Sequence, residues 1–382
     1  MRTKPLILNA PSKSNAVVID TPVILAPMAG VTNAAFRRLC REQGAGLYIC
    51  EMITARGLAI GDQKTVEMLT FWPDEPIRSV QLYGVDPASL SYAIDVACDA
   101  FGANHIDLNF GCPVPKVTRK GGGGVLPWKT ELMRQLLTSA VDTADKYGVP
   151  LTIKTRIGID EDHETYLETG RLAQQAGVAA VCLHGRTVQQ AYSGKADWEP
   201  IARLVEAIDI PVLGNGDIWE ASDAIRMMEQ TGCAGIEIGR GCLGRPWLFR
   251  DLTAALTNQQ PQTQPKLGEV KQMMRRHAEL LATLWGETHG IRDFRKHAGW
   301  YLKGFPVGGE LRNNIALVES LQHLDQILTQ LDDNLEYPQD AMAKPRGRQG
   351  SARGKVAMPS GWLDDRNGLE IELDDTDLNV SG

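Results

Sequence analysis

The chain has 382 residues, of which 43% are hydrophobic and 23% are charged, and its formal net charge is −7. These values are ordinary for a soluble globular protein, and the absence of any apolar stretch of bilayer length excludes a membrane protein. One α/β barrel takes about 250 residues, so the length predicts a barrel with an appended segment. Seven cysteines without CxxC spacing argue against a disulfide framework or a zinc site, and they favour a metal-free protein of the reducing cytoplasm.

Short apolar strands alternate with helices through the first two thirds of the chain. In chain order, strands are predicted over residues 23–27, 46–50, 79–84, 106–109, 151–156, 180–184, 210–215 and 235–239. Helices are predicted over residues 34–42, 56–69, 86–101, 129–146, 164–176 and 221–230, with another that begins near residue 198. This alternation predicts an α/β fold, a closed (β/α)8 TIM barrel. An open doubly wound sheet is the alternative, but it usually has fewer strands.

The remaining third of the chain has a different character. A polar, proline-containing linker covers residues 257–265, and helical periodicity follows over residues 267–284, 291–304 and 316–335. From residue 338 the chain is rich in Gly, Ser, Ala, Pro and basic residues, and it then becomes acidic. We therefore predict a barrel domain over 1–256, a small helical domain over 266–337 and a disordered tail over 338–382.

Polar side chains follow almost every predicted barrel strand. In a TIM barrel, the residues that perform chemistry lie at the carboxyl ends of the strands. The strand ends carry Met28, Gln81, Asn109, Cys112, Lys154, Arg156, His184, Arg186, Asn215, Asp217 and Arg240. We expect these side chains to form one continuous polar site.

The loops after the last two strands indicate a phosphorylated ligand. Residues 214–217 and 239–241 are rich in glycine, and backbone N–H groups of these two loops commonly bind phosphate in this fold. Arg240 adds a fixed positive charge. Lys154 can stabilise an anionic reduced flavin, and Gln81 can bind the edge of its pyrimidine-like ring. Together these residues favour flavin mononucleotide (FMN) over a sugar phosphate.

Cys112 follows the fourth predicted strand and lies between Gly111 and Pro113. A thiol in this position can act as a nucleophile or a proton donor, whereas a small buried side chain is the structural alternative. The glycines at 121–124 lack the Lys-Ser/Thr of a nucleotide-phosphate loop. We instead expect a flexible active-site loop that carries Arg119 and Lys120 and closes on the ligand.

Several of these motifs, in this order, resemble the signature series of the tRNA-dihydrouridine synthases. The matching segments are residues 27–32, 81–84, 109–113, 154–156, 184–187, 214–218 and 238–241, which span about residues 20 to 250. The run Arg295–His297, followed by Trp300 and Tyr301, resembles the helical domain of bacterial B-type members and extends the likeness to about residue 330.

The resemblance implies an enzyme that reduces specific uridines in tRNA to 5,6-dihydrouridine, with FMN as cofactor and NADPH as reductant. Reduced flavin would deliver hydride to C6 of the uracil, Cys112 would protonate C5, and Asn109 would lie under a base flipped out of its stack. The residues that would contact the flavin ring are Pro27, Met28, Gln81, Lys154 and His184. Those that would hold the ribityl phosphate are Asn215, Gly216, Asp217, Gly239 and Arg240.

Charge in the helical domain is compatible with RNA. Between residues 266 and 312 there are nine Lys or Arg and five Asp or Glu, a balance of +4. The expected substrate contacts are Asn109, Arg119, Lys120, Arg186, Arg295 and Lys296. Trp300 and Tyr301 could stack on bases, but helical spacing favours core positions. A monomer is expected.

Two alternatives remain at this point. One is an FMN-dependent barrel that acts on a free small molecule, as dihydroorotate dehydrogenases do, although a free pyrimidine needs no basic helical domain. The other is an RNA-binding flavoprotein without catalysis, against which the presence of Cys112 and Lys154 speaks.

Overall fold

The computed structural model describes residues 3–12, 15–260, 262–347, 349–352 and 354–369. An antiparallel hairpin of β1 (Leu6–Asn9) and β2 (Ala16–Ile19) comes first. The other strands are β3 (Val23–Leu25), β4 (Leu47–Tyr48), β5 (Ile53–Thr54), β6 (Ser79–Tyr83), β7 (His105–Phe110), β8 (Leu151–Arg156), β9 (Ala180–His184), β10 (Val212–Asn215) and β11 (Gly235–Ile238). They form one parallel sheet in the order β4-β3-β11-β10-β9-β8-β7-β6-β5.

The sheet closes on itself where the residues after β4 meet the start of β6. A parallel bridge joins Ile49 to Ser79, and the N–H of Cys50 donates to the Ser79 carbonyl at 3.1 Å. The predicted (β/α)8 barrel is therefore confirmed. The predicted second strand, residues 46–50, contains β4, and the short β5 that follows pairs separately with β6.

Helices cover the outside of the barrel because each presents an apolar face to the sheet. They are α1 (Ala34–Glu42), α2 (Ala55–Ala59), α3 (Gln63–Glu67), α4 (Pro87–Asp99), α5 (Pro115–Thr118), α6 (Thr130–Lys146), α7 (Tyr166–Ala176), α8 (Glu199–Ala207), α9 (Ala221–Thr231) and α10 (Leu248–Leu256). Asn33 caps α1 by accepting the Phe36 N–H at 3.1 Å. The predicted helix over 56–69 is two helices, because Gly61 adopts a φ of 70° and Asp62 caps a new start.

The interior of the barrel is apolar at one end and polar at the other. Leu8 and Ile19 of the N-terminal hairpin are buried against Ile24, Leu47 and Leu213, so the hairpin closes the amino-terminal end of the barrel. Above this layer the interior side chains of β6, β7 and β8 are polar. Chemistry is thus confined to the carboxyl ends of the strands.

In the described residues after the barrel there are four α-helices: α11 (Leu267–Trp285), α12 (Glu287–Tyr301), α13 (Gly309–Ala316) and α14 (Leu321–Leu328). The helix predicted over 316–335 is wrong in its bounds, because α13 ends at Ala316 and Ser320 caps a new helix. The rings of His277 on α11 and His297 on α12 are 4.4 Å apart, and burial lowers the pKa of both. Within the described residues, no helix combines the length and apolarity that crossing a bilayer would need.

The segment from residue 338 onward returns to the barrel. Arg346 is 1% exposed and Trp362 is 5% exposed, so the described part of the predicted disordered tail is packed. Composition hides this, because a few anchoring side chains suffice to fix a segment that is otherwise polar. The basic residues Arg348 and Arg353 of this predicted tail, and residues 370–382, lie outside the described part of the chain.

Candidate active site

A cavity of about 380 Å³ opens at the carboxyl ends of the barrel strands. Its wall includes these residues singled out from the sequence: Pro27, Met28, Gln81, Asn109, Cys112, Lys154, His184, Arg186, Asn215, Gly216, Asp217, Gly239 and Arg240. The parallel strands bring their ends to one rim, which is why residues spread over more than half of the chain meet here.

The loop after β7 is fixed by the side chain of Asn109. Its Oδ1 accepts the N–H groups of Gly111 at 3.1 Å and Cys112 at 2.9 Å, while its Nδ2 donates to Gln81 Oε1 at 2.9 Å. Arg156, which is buried, donates from Nε to the Gly111 carbonyl at 2.7 Å. The backbone of Cys112 therefore has a defined position at the cavity wall, and the residue is half-buried.

Four ionisable side chains lie together inside the barrel: Lys154, Glu237, Cys182 and Asp107. Lys154 Nζ is 3.3 Å from Glu237 Oε1 and 3.3 Å from the Cys182 sulfur. The Lys154–Glu237 contact is an ion pair without hydrogen-bond alignment, because Glu237 Oε1 has no aligned donor. Asp107 accepts from Gln81 Nε2 at 2.7 Å and from Thr152 Oγ1 at 2.6 Å.

Glu237 and Asp107 are not among the site residues predicted from the sequence. Glu237 is a charged residue inside an otherwise apolar strand and is 1% exposed, and Asp107 alternates with the apolar residues of β7. A charged residue at an interior position of a barrel strand needs a partner, so the pattern itself was a signal. Burial opposes the positive charge of Lys154, but the Cys182 sulfur and the Glu237 carboxylate more than offset it, so its pKa lies above the ordinary value.

Asp107 gives the barrel a pH-dependent stability. Burial and the nearby Glu237 carboxylate raise the pKa of Asp107 to about 7. Since an unfolded aspartate has a pKa of about 3.9, the folded state binds the extra proton between about pH 4 and pH 7. As the pH rises from about 4 to about 7, the folded protein loses the advantage of binding this proton. We therefore expect its free energy of unfolding to fall by a few kcal/mol, about 4 at most, relative to that of Asp107→Asn. Urea unfolding at several pH values measures it, and parallel profiles for the two proteins would contradict the assignment.

His184 is held neutral at the cavity wall. Burial lowers its pKa well below the ordinary value, and the positive charges of Arg156, Lys154 and Arg186 act in the same direction. One Arg186 nitrogen, Nη1, is 3.4 Å from His184 Nε2. A neutral imidazole can donate or accept a hydrogen bond to a bound ring without adding a charge.

The phosphate-binding end predicted from the sequence is built on two loops. Arg240 packs over the rings of Tyr192 and Trp219, 5.2 and 5.3 Å from their centroids. A Cβ added to Gly239 would meet nothing closer than 3.9 Å, so this backbone faces open cavity space. A ligand phosphate can therefore approach the backbone beside a guanidinium group.

Asp217 has a different surrounding from the other residues predicted to hold the phosphate. Its carboxylate accepts from Arg186 Nη2 at 2.9 and 2.8 Å and from the Ala196 N–H at 2.7 Å. Arg186, expected to contact substrate, also donates to the carbonyls of Ser193 and Gly194. The pair fixes the loop after β9, and a carboxylate here suits the hydroxyls of a ligand better than its phosphate.

Four predicted substrate residues do not line the cavity. Arg119 and Lys120 follow α5, with Arg119 exposed, and Arg295 donates from Nε to the Val318 carbonyl at 2.8 Å. Lys296 is exposed and pairs with Asp293, and its Nζ would be 3.8 Å from a Cβ placed on Gly30, beside the cavity loop after β3. Their contacts with substrate stay a prediction.

The helical domain contributes one wall of the cavity through Trp300. Trp300 is half-buried, so the expected core position is wrong for this residue, whereas Tyr301 is buried and its hydroxyl is 3.1 Å from His277 Nδ1. The difference arises because α12 presents neighbouring positions to the cavity and to α11. The cavity is thus completed by both parts of the chain.

Comparison with known proteins gives one consistent result. Residues 24–336 match the sequence model of the family described as "Dihydrouridine synthase (Dus)". A protein from Mycobacterium leprae named "Probable tRNA-dihydrouridine synthase" is 50% identical over 386 residues, covering 94% of this chain and all of that protein. The "tRNA-dihydrouridine synthase B" of Pseudomonas aeruginosa is 40% identical over 291 residues, covering 76% of this chain and 86% of that protein.

A solved structure supports the fold independently. Histamine dehydrogenase from Rhizobium sp. 4-9 superimposes with a TM-score of 0.51 at 10% sequence identity, over 85% of this chain and 65% of that chain. At this identity the likeness concerns the barrel architecture alone.

Proposed function

This chain belongs to the dihydrouridine synthase family, and on that premise we propose that it reduces specific uridines in tRNA to 5,6-dihydrouridine. The observation that carries the proposal is the position of Cys112 at the wall of the strand-end cavity, with its backbone N–H held by Asn109. Relatives that carry the tRNA-dihydrouridine synthase name match over nearly the whole chain, which supports the same substrate class.

The cavity fits flavin mononucleotide as the cofactor. Pro27 and Met28 provide an apolar surface. Lys154 provides a cation, His184 provides a neutral polar group, and Arg240 lies where the phosphate would bind. Bound FMN, once reduced by NADPH, would supply the hydride for C6 of the uracil. The cation of Lys154 favours negative charge on a ring bound above it.

The side chains of the protein supply a proton and hold the uracil base in position. Addition of hydride at C6 leaves negative charge at C5 and O4 of the base, and the Cys112 thiol donates a proton to C5. Asn109 orients the base and at the same time holds the Cys112 loop. Because a stacked base cannot reach this cavity, the uridine must flip out of the tRNA.

The RNA-binding surface is assigned to the helical domain and the cavity rim. Lys296 lies beside the loop after β3, and Arg119, Lys120 and Arg295 add positive charge to the protein. Contacts of this kind bind phosphates and weaken with salt. We place the enzyme in the cytoplasm as a monomer. The placement of Trp300 in the cavity wall disfavours a barrel that acts on a free small molecule, since such an enzyme needs no helical domain there.

A reconstituted assay tests the function. The purified protein should be yellow, NADPH should bleach the flavin in the absence of air, and unmodified tRNA should restore the colour and gain dihydrouridine. Free uridine and orotate serve as the matched substrates. If either restored the colour as fast as tRNA does, the small-molecule alternative would replace our proposal, and a protein that could not be loaded with flavin would remove its basis.

A further inference from the structure

The residues that follow α14 form an ordered surface layer on the barrel. We name residues 338–369, as far as they are described, the C-terminal segment. It lies beyond residues 24–336, the part that matches the family model. Its two anchors are Arg346 and Trp362, which are among the most buried residues of this part of the chain.

Arg346 ties the start of the segment to the cavity wall. Its Nη1 donates to the carbonyls of Leu243 at 3.2 Å and Trp300 at 2.9 Å, and its Nη2 donates to the Tyr337 hydroxyl. The next residue, Gly347, lines the cavity, and a Cβ there would be 2.5 Å from Leu243. The segment therefore crosses the cavity rim between the barrel and the helical domain.

Trp362 ties the other end of the segment to the loop that follows Cys112. Its Nε1 donates to the Val125 carbonyl at 3.0 Å, and its ring belongs to an apolar cluster with Val125, Ile159 and Val188. A Cβ added to Gly121 would be 2.4 Å from the indole ring, so backbone and ring are in direct contact. The glycines at 121–124, which the sequence suggested as a flexible loop, are buried.

The same turn packs on the backbone of Cys112. The N–H of Gly124 donates to the Cys112 carbonyl at 3.0 Å, and a Cβ on Gly123 would be 2.5 Å from that oxygen. Residues 123–128 form a single 3-10 helix, so Gly124 and Val125 belong to one element. The indole of Trp362 thus contacts this helix, and the helix in turn contacts the backbone of Cys112.

Further contacts fix this end of the segment against Trp128 and Thr130. The Thr130 N–H donates to the Arg366 carbonyl at 2.9 Å, and Trp128 Nε1 donates to the Leu363 carbonyl at 3.3 Å. The guanidinium of Arg366 packs over the Trp128 ring at 4.3 Å. These bonds fix the exit of the loop at the start of α6, while Asn109 and Arg156 fix its entrance.

We propose that the C-terminal segment is part of the active site and that Trp362 is a positioning residue, which holds the Cys112 thiol at its place in the cavity through residues 121–128. This inference rests on the proposed function for its effect on turnover. The geometric part, that Trp362 controls the environment of Cys112, does not require tRNA or flavin.

The two half-reactions, reduction of the flavin and reduction of the uracil, differ in their need for Cys112. Reduction of the flavin by NADPH needs no protein thiol, whereas reduction of the uracil needs the proton of Cys112. A misplaced thiol should therefore slow only the second half-reaction, and a displacement of about 1 Å can cost about a hundredfold in rate. A merely structural role of Trp362 would lower flavin content and both half-reactions together.

The test compares the flavin-loaded wild type with Trp362→Ala, Trp362→Phe and a chain that ends at residue 369 as the matched control. For Trp362→Ala we expect kcat on unmodified tRNA to fall by about ten- to a hundredfold, with flavin bleaching by NADPH within about twofold of the wild type. Trp362→Phe keeps an aromatic ring in the apolar cluster but loses the N–H donated to Val125, so its rate should lie between those of the wild type and Trp362→Ala. The chain ending at 369 should match the wild type.

Alkylation of Cys112 by iodoacetamide, followed by peptide mass spectrometry on flavin-free protein, gives the second readout. We expect the alkylation rate to change by about threefold or more in Trp362→Ala and to be unchanged in the chain ending at 369. Should Trp362→Ala lose its fold, Trp362→Leu makes the same comparison, because it keeps an apolar side chain in the cluster with Val125 but lacks the indole. Unchanged alkylation and unchanged tRNA turnover in a folded variant would overturn the inference. A wild type that does not reduce tRNA, with Cys112 alkylation still dependent on Trp362, would instead overturn the proposed function alone.

Discussion

Replacement of Cys112 by alanine is expected to lower turnover on unmodified tRNA by about 10²- to 10⁴-fold, the usual contribution of a general acid. The loop backbone should keep its place, because the two N–H groups that Asn109 accepts belong to the main chain and survive the substitution. Flavin binding and its reduction by NADPH should remain at the wild-type level. Stopped-flow measurement of the two half-reactions checks both statements.

Two further variants make the Cys112 experiment specific. Cys112→Ser keeps the shape of the side chain but replaces the thiol by a much weaker acid, so it should resemble alanine rather than the wild type. Cys98→Ala is the control, since Cys98 is buried on α4 and does not line the cavity. A Cys112→Ala enzyme with full tRNA turnover would show that the proton comes from another group.

Replacement of Lys154 by methionine is expected to damage both stability and flavin chemistry. The substitution leaves Glu237 buried without its cation, and breaking a buried pair in this way typically costs about 3–5 kcal/mol. The protein should also lose most of its ability to hold and reduce the flavin, because the Lys154 charge that would stabilise the reduced ring at the cavity wall is gone. Thermal unfolding and the bleaching rate with NADPH measure the two effects.

A second substitution separates these two effects of Lys154. In Lys154→Met/Glu237→Gln both charges are absent, so much of the lost stability should return while flavin reduction stays impaired. Lys64→Met removes an exposed lysine from α3 and serves as the control for the loss of one positive charge. If the double variant were no more stable than Lys154→Met, the ion pair would not be the cause of the destabilisation.

The residues of the cavity wall followed from the sequence because their positions obey a local rule. Gln81, Asn109, Lys154 and His184 each lie in the carboxyl-terminal part of a strand that the apolar pattern predicts, and parallel strands must bring these parts together. The family followed from the same segments and is confirmed by the match over residues 24–336.

Other features depended on contacts that no local pattern contains. Glu237 lies opposite Lys154 only because β11 and β8 face each other across the closed barrel, and Asp107 reaches Gln81 across neighbouring strands. The bounds of the later helices also differed, since Ser320 begins a new helix where periodicity alone continued the old one. The polar composition of the C-terminal segment predicted disorder, although Trp362 alone buries a large aromatic surface.

The sequence by itself determined the barrel, the helical domain, the family and the residue types at the strand ends, because strand and helix periodicity and short motifs are local properties of a chain. The tertiary structure decided which charges are paired and which residues support the catalytic loop. Trp362 and Val125 are 237 positions apart, and Arg346 and Leu243 are 103 positions apart. Contacts between residues so far apart in sequence are decided by the packing of the whole molecule and not by the pattern of any one segment. In that packing each buried polar group must find a partner.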